Sequence, residues 1–238
     1  MTAKEFPAPN VLRRKAAKVR ADLLKAYGRP RWGKSLSAVD ELVATILSQN
    51  TSDINSGRAF GLLVERYGSM EAVRDADLAE LIDTIRPAGL AQQKGPRIQA
   101  VLRAITEARG TLDLKFLRKL PPAEARAWLT QFNGVGPKTA SIVLLFSLGV
   151  PMFPVDTHVH RVTGRLGLRP ATMSADQSHE WLELLFAPET YLDAHINLIR
   201  HGREICHARN PQCEICPVQH LCDDYQQRVK DPEVLRKT

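Results

Sequence analysis

No cysteine precedes Cys206 in this chain of 238 residues. Disulfide cross-linking is therefore excluded for most of its length. No apolar run approaches the roughly 20 residues that a membrane-spanning helix needs, and the longest candidate, Ser141 to Val150, falls well short. The N-terminus, Met1-Thr-Ala-Lys-Glu-Phe-Pro, lacks the apolar stretch and small-residue cleavage site of a secretory signal, and Glu5 argues against a transit peptide. Together these absences point to the cytoplasm, nucleoid-associated if the source is bacterial, where thiols stay reduced. No segment sustains period-two alternation, and there is no low-complexity tract or convincing internal repeat. Acidic residues are also in deficit, 26 against 33 Lys and Arg, for a net charge of +7. That balance suits a polyanionic partner, nucleic acid or an anionic surface, rather than a cationic one.

What is present reads as helix. In the segment from Ser37 to Asn50, Ser37 suits the cap and Asp40 and Glu41 the first turn, while Val39, Leu42, Val43, Ile46 and Leu47 form one apolar stripe. Weaker helical periodicity covers Val11 to Tyr27, Ser56 to Tyr67, Gln92 to Arg109, Ala123 to Phe132 and Asp193 to Ile205. Glycine and proline punctuate the joints at Gly28, Pro87, Pro121, Asn133 to Pro137 and Gly149. The excess charge is concentrated near the N-terminus. Arg13, Arg14, Lys15, Lys18, Arg20, Lys25, Arg29, Arg31 and Lys34 are opposed only by Asp22. Such a run is either a phosphate-binding surface or a solvated helix face.

All the cysteines, Cys206, Cys213, Cys216 and Cys222, fall in one short stretch with gaps of six, two and five residues. A loop of this length can turn four thiolates toward one shared centre, either a tetrahedral metal or an iron-sulfur cluster. The unequal gaps do not repeat the paired knuckles of common zinc modules, although spacing alone leaves zinc open.

The segment from Trp128 to Gly149 reads as a helix, a Gly134-Val135-Gly136 turn, and a second helix opening at Pro137. Two glycines let backbone approach a ligand, and the unpaired amides at the second helix's start can hold a phosphate without reading a base. Lys138 stands in the first turn of an otherwise apolar helix. Desolvation and the positive helix end are expected to lower its proton affinity and expose a nucleophilic amine. A simpler role is a salt bridge to phosphate. Further on, Asp156 and Thr157 suit a helix start. The string Asp156-Thr-His158-Val-His160 would place metal ligands on one face only as a strand, so helix is expected and metal binding there is not.

Taken together, Gly134-Val-Gly-x-Lys138, then Val155-Asp156-Thr-His-Val-x-Arg161, then His201-Gly-Arg-x-x-Cys206 with the Cys-x6-Cys-x2-Cys-x5-Cys loop, resembles the endonuclease III family of helix-hairpin-helix DNA glycosylases. The resemblance runs from about Val11 onward and implies an all-α fold of two helical lobes flanking a DNA-binding cleft. A barrel lobe with the hairpin would occupy residues 31–150, and residues 1–30 with 151–238 would form a cluster lobe. It implies a [4Fe-4S] cluster on Cys206, Cys213, Cys216 and Cys222. It further implies a monomer acting on double-stranded DNA that carries damaged bases or abasic sites. Lys138 would attack C1′ and Asp156 would stabilise developing positive charge, giving base excision of oxidised pyrimidines with associated β-elimination. Gly134, Val135 and Gly136 would bind backbone, Arg209 would contact DNA from the cluster loop, and Asn50 and Leu90 would fill the vacated stack.

The chain departs from the usual bacterial pattern, which has Gln, Pro and Arg where Asn50, Asn133 and Pro137 stand. Gln49 is thus an alternative filling residue. These differences bear on lesion preference rather than on the reaction. Two other functions fit the sequence: a monofunctional or mismatch-type glycosylase, whose relatives commonly lack the lysine, and a non-catalytic DNA-binding protein.

Overall fold

The computed structural model describes residues 9–30 and 35–230, the last two by backbone alone. Every regular element among them is helical. The helices are α1 (Pro9–Tyr27), α2 (Ala38–Ser48), α3 (Asp53–Tyr67), α4 (Met70–Asp75), α5 (Leu78–Thr84), α6 (Ala91–Arg109), α7 (Pro122–Thr130), α8 (Pro137–Ile142), α9 (Thr157–Arg165), α10 (Ala175–Leu185), α11 (Tyr191–Glu204) and α12 (Asp223–Lys230). The chain divides into two compact units, one of Lys34–Val150 and one of Met1–Gly33 with Pro151–Thr238.

Helix α2 is the axis of the first unit. Ser37 caps it by accepting from the Asp40 amide at 3.2 Å, and Val39, Leu42, Val43, Ile46 and Leu47 are buried. Burial of each such side chain stabilises by about 1.5–3 kcal/mol, which outweighs any contribution from helix propensity. Around α2 pack α3, α6, α8 and the π-helical turn Val143–Ser147 that continues α8. Helix α6 also rests on α4 and α5, and Gln99 ties it to α4 by donating to the Val73 and Ala76 carbonyls at 3.2 and 2.7 Å. Gly95 sits against Ile82, where an added Cβ would collide with that side chain.

In the second unit α11 packs on α9 and α1, and α1 also meets α10. Helix α1 buries Leu12, Ala16, Val19 and Leu23, the spacing of one helical face. Its basic residues divide into two groups. Arg20 grips Asp193 through two bonds of 2.7 and 2.6 Å, Lys15 pairs with Asp223 at 2.5 Å, and Arg13 donates to the Leu184 carbonyl at 2.7 Å. Three of the cations therefore hold the unit together, whereas Arg14, Lys18, Lys25 and Arg29 are exposed. Arg31 and Lys34 lie outside the described residues. No helix among the described residues is long and apolar enough to cross a membrane.

Candidate functional site

The turn between α7 and α8 is built as the glycines require. Gly134 has φ +86°, a conformation that a residue with a Cβ rarely adopts, and a Cβ there would run into the Arg97 side chain. Val135 is only 3% exposed and plugs the angle between the two helices, its amide donating to the Phe132 carbonyl at 3.0 Å. Gly136 is exposed and caps α8, and Pro137 takes the first helical position, where no amide proton is needed.

Lys138 follows on the outer side of this first turn, and here one expectation requires correction. The residue is exposed, not desolvated by its own helix. The buried face of α8 consists of Thr139, Ala140 and Ser141, and it continues through Val143 and Leu144. Lys138 shares the other face with Ile142 and Leu145, neither fully buried. An apolar following sequence covers only part of a helix's first turn.

Asp156 caps α9, its Oδ1 accepting from the Val159 amide at 2.7 Å, so the capping role is realised. The helix expected here forms, and its histidines are engaged separately. His158 Nδ1 meets Arg161, whereas His160 Nε2 meets the Met173 carbonyl at 3.0 Å. Asp156 and Lys138 belong to different units.

Gln49 and Asn50 follow α2 directly. The Gln49 amide donates to the Gly134 carbonyl at 3.2 Å and to Thr139 Oγ1 at 3.4 Å, while its Oε1 accepts from Arg97 at 3.1 Å. Asn50 is exposed with φ +54°, and Leu90, 47% exposed, has φ +51°. Left-handed backbone at a residue with a Cβ is uncommon and clusters at functional positions. Nothing in the sequence pattern flagged Arg97, which spans the hairpin and the end of α2, or Lys94, buried one turn before it.

The four cysteines line one small cavity with Val162, Arg165, His201 and Tyr225. All are free thiols of intermediate exposure. Four sulfurs lining one cavity fit a shared centre, either the tetrahedral metal or the iron-sulfur cluster that spacing left open. Burial pushes the Cys216 thiol up to about 11, with the nearby charges of Cys206, Cys222 and Cys213 adding to it. Burial also raises Cys213 and Cys222. Burial thus opposes the thiolate form at Cys213, Cys216 and Cys222, which a positively charged centre would favour.

Side chains to which the motifs assigned no role shape this loop. Arg165 donates to the His207 and Ala208 carbonyls at 2.6 and 3.0 Å and to Cys206 Sγ at 3.3 Å, and Arg161 donates to the Cys206 and Gly202 carbonyls at 3.0 and 2.8 Å. Their spacing of four residues on one face of α9 was the available signal. His201 is 1% exposed, and burial drives its pKa down to about 4. Its Nδ1 faces the Tyr27 hydroxyl at 2.8 Å and its Nε2 faces Cys216 Sγ at 3.6 Å. Arg209 is exposed on the loop and lines an open groove with Arg165 and Arg228.

Residues 43–188 match the profile of the HhH-GPD superfamily base excision DNA repair proteins, and residues 206–222 match the iron-sulfur binding domain of endonuclease III. The chain is 35% identical over 201 residues to the endonuclease III of Sulfolobus acidocaldarius, covering 84% of this chain and 87% of that one. It is 34% identical over 212 residues to the Thermotoga maritima enzyme of the same name, covering 88% and 93%. Among solved structures, a non-covalent endonuclease III–DNA complex superimposes with a TM-score of 0.78 at 28% identity, covering 92% of this chain and 99% of that one. A glycine-built hairpin, a cavity ringed by four cysteines, and likeness along nearly the whole chain agree: the chain belongs to the endonuclease III family of the HhH-GPD superfamily.

Proposed function

We propose that Lys138 and Asp156 carry the chemistry of a base-excision DNA glycosylase with associated AP lyase activity, acting on oxidised pyrimidines in double-stranded DNA. The observation that carries this reading is an exposed lysine in the first turn after a glycine-built hairpin, within a chain of this family. A related structure is a trapped endonuclease III–DNA covalent intermediate, 28% identical and superimposing with a TM-score of 0.79.

A base must leave the stack before its glycosidic bond can be reached, and phosphates held on either side keep the strand open. Gly134, Val135 and Gly136 hold the backbone through the amides at the start of α8, and Arg209 adds a phosphate contact from the cluster loop. Asn50 and Leu90 fill the vacated space. The Lys138 amine, its ammonium proton having passed to solvent, forms a bond to C1′ as the C1′–N bond breaks; the base departs with that electron pair and takes up the proton shed by the newly bonded nitrogen. Asp156 stabilises the positive charge on the opening sugar. Opening of the ring leaves a protonated Schiff base, which acidifies C2′. Loss of a C2′ proton then expels the 3′ phosphate, and water releases Lys138 by hydrolysis. Cys206, Cys213, Cys216 and Cys222 hold the [4Fe-4S] cluster, which when bound supplies a rigid cross-link for the loop bearing Arg209.

Borohydride reduction during turnover tests this reading. It should fix wild-type protein to DNA, with the linkage mapped to Lys138. Base release without any trapped adduct would favour the monofunctional mechanism instead.

A further inference from the structure

Two non-glycine residues in this unit hold left-handed backbone at exposed positions, Asn50 with φ +54° and Leu90 with φ +51°. Each sits just beyond a segment end, Asn50 after α2 and Leu90 after the 3-10 turn Arg86–Ala88. One buried cation connects those two ends. Lys94 is 2% exposed, and its Nζ donates to the Leu47 carbonyl at 2.7 Å and to the Ala88 carbonyl at 2.8 Å. The Leu47 carbonyl belongs to the last turn of α2, where carbonyls lack helical partners and a positive charge is favoured. The Ala88 carbonyl lies two residues ahead of Leu90. The Lys94 amide donates in addition to the Leu90 carbonyl at 2.9 Å.

Such a lysine is costly to bury. Desolvation and the neighbouring Arg97 cation both act against its charged form. An apolar side chain would fill the same space at lower cost, so the position uses the ammonium as a two-pronged clamp.

We infer that Lys94 is a positioning residue: by bridging Leu47 and Ala88 it fixes the separation between Asn50 and Leu90, the two side chains that enter the stack when a damaged nucleotide is extruded. The inference rests on the stack-filling role proposed for that pair. Catalysis at C1′ does not involve Lys94. Its loss should therefore matter only where a stack has to be opened and filled.

The test uses full-length, cluster-loaded Lys94→Met protein. Single-turnover base excision from a lesion duplex should fall about tenfold to a hundredfold, the scale expected when positioning is lost by an ångström. Strand cleavage at an abasic site in single-stranded DNA, which has no stack to fill, should stay within about twofold of wild type, since the substitution leaves the chemical groups in place. A 2-aminopurine placed beside the lesion should lose most of its binding-induced fluorescence rise. Adding Lys94→Met to an Asn50→Ala/Leu90→Ala protein should cost no more than about twofold further, because coupled residues are not additive. Equal losses on both substrates, or no loss on duplex, would overturn the Lys94 assignment. Wild-type duplex excision by the Asn50→Ala/Leu90→Ala protein would instead sink the stack-filling reading, and the Lys94 inference with it. Should Lys94→Met lose its cooperative melt, Lys94→Gln, which keeps a neutral donor, is put through the same duplex to single-strand comparison.

Discussion

Gln49 donates to the carbonyl of Gly134 at 3.2 Å, joining the end of α2 to the hairpin turn. Its Oε1 is also occupied, by Arg97. A side chain engaged on both its oxygen and its nitrogen is poorly suited to leave for a DNA stack, whereas Asn50 stands exposed beside it. The geometry therefore favours Asn50 for filling and gives Gln49 the task of holding the hairpin. Gln49→Ala should weaken binding to undamaged and damaged duplex alike, by about three- to tenfold for a lost hydrogen-bond network. Asn50→Ala should leave undamaged-duplex affinity unchanged and slow excision. Anisotropy titrations paired with single-turnover excision separate the two. The reverse pattern would assign the filling role to Gln49.

Lys138 is exposed and makes no packing contribution that its removal would forfeit. Lys138→Ala should melt within about 0.5 kcal/mol of wild type, the usual range for surface substitutions. The same protein should give no borohydride-trapped adduct and no β-elimination product. Binding to an abasic-site duplex should persist, because the proposed backbone contacts come from the hairpin amides and not from this side chain. A trapped adduct in Lys138→Ala would move the nucleophile elsewhere.

How much of this was legible depended on how local the determining contacts are. Ser37 and the α2 stripe declared themselves because cap and periodicity lie within one short segment, and the cysteine loop did so for the same reason. Helix α10 carries a signal just as local, since Ser174 and Gln177 form a reciprocal capping box at its start. Lys94 could not be read from its surroundings. Gln92, Gln93, Lys94 and Arg97 look like a polar surface, and only the approach of Leu47 and Ala88 from elsewhere in the chain buries one of them. Lys138 failed in the opposite sense, since apolar neighbours in sequence did not become neighbours in space on its side of the turn. The N-terminal basic run was half legible: charge alone could not say that Arg20 and Lys15 face Asp193 and Asp223.

Glu41, in the first turn of α2, is partly buried, and that burial raises its carboxyl above the ordinary value of 4.5, against the pull of a hydrogen bond from Thr45. A carboxyl raised on folding binds protons more tightly in the native state. Its stabilising contribution is complete below the ordinary carboxylate value and is lost as pH rises through the raised one. At neutral pH the ionised Glu41 therefore destabilises α2 despite its favourable place near the helix N-terminus. Glu41→Gln should raise the melting temperature at pH 7 by about 1–2 °C. The gain should vanish on acidification below the ordinary carboxylate range. A gain that persists unchanged in acid would mean that packing, not ionisation, is responsible.

Tyr27 and His201 form a relay toward the cluster loop. The Tyr27 hydroxyl faces Nδ1 and Cys216 Sγ faces Nε2, so the tautomer that accepts from Tyr27 is the one whose ring proton points toward Cys216. Hydrogen bonds to ligand sulfurs raise a cluster's reduction potential by stabilising the more negative state. Tyr27→Phe frees the ring tautomer and should lower the potential, with His201→Phe lowering it further. Film voltammetry of the two proteins, free of DNA, would show this. Unchanged potentials in both would leave His201 as packing alone.

The two halves of the cysteine loop are secured differently, and this decides what losing the cluster should do. Arg161 and Arg165 hold the first half through the carbonyls of Cys206, His207 and Ala208, whatever the cysteines bind. The second half, from Cys213 to Cys222, consists of two single 3-10 turns, Cys213–Ile215 and Gln219–Leu221, with little apolar burial beyond Val218. Short turns of this kind are marginal alone, so the cluster is their main cross-link. Cys213→Ser should then loosen the second half, widen the groove beside Arg209, and weaken duplex binding about tenfold, with a shallower salt dependence as phosphate contacts are lost. At saturating enzyme the single-turnover excision rate should stay within about threefold of wild type, because the proposed nucleophile, Lys138, sits in the other unit. Iron and sulfide analysis, anisotropy across a salt series and single-turnover kinetics on one preparation give all three quantities. A folded, cluster-free Cys213→Ser protein that binds DNA with wild-type affinity would refute the loop-shaping role.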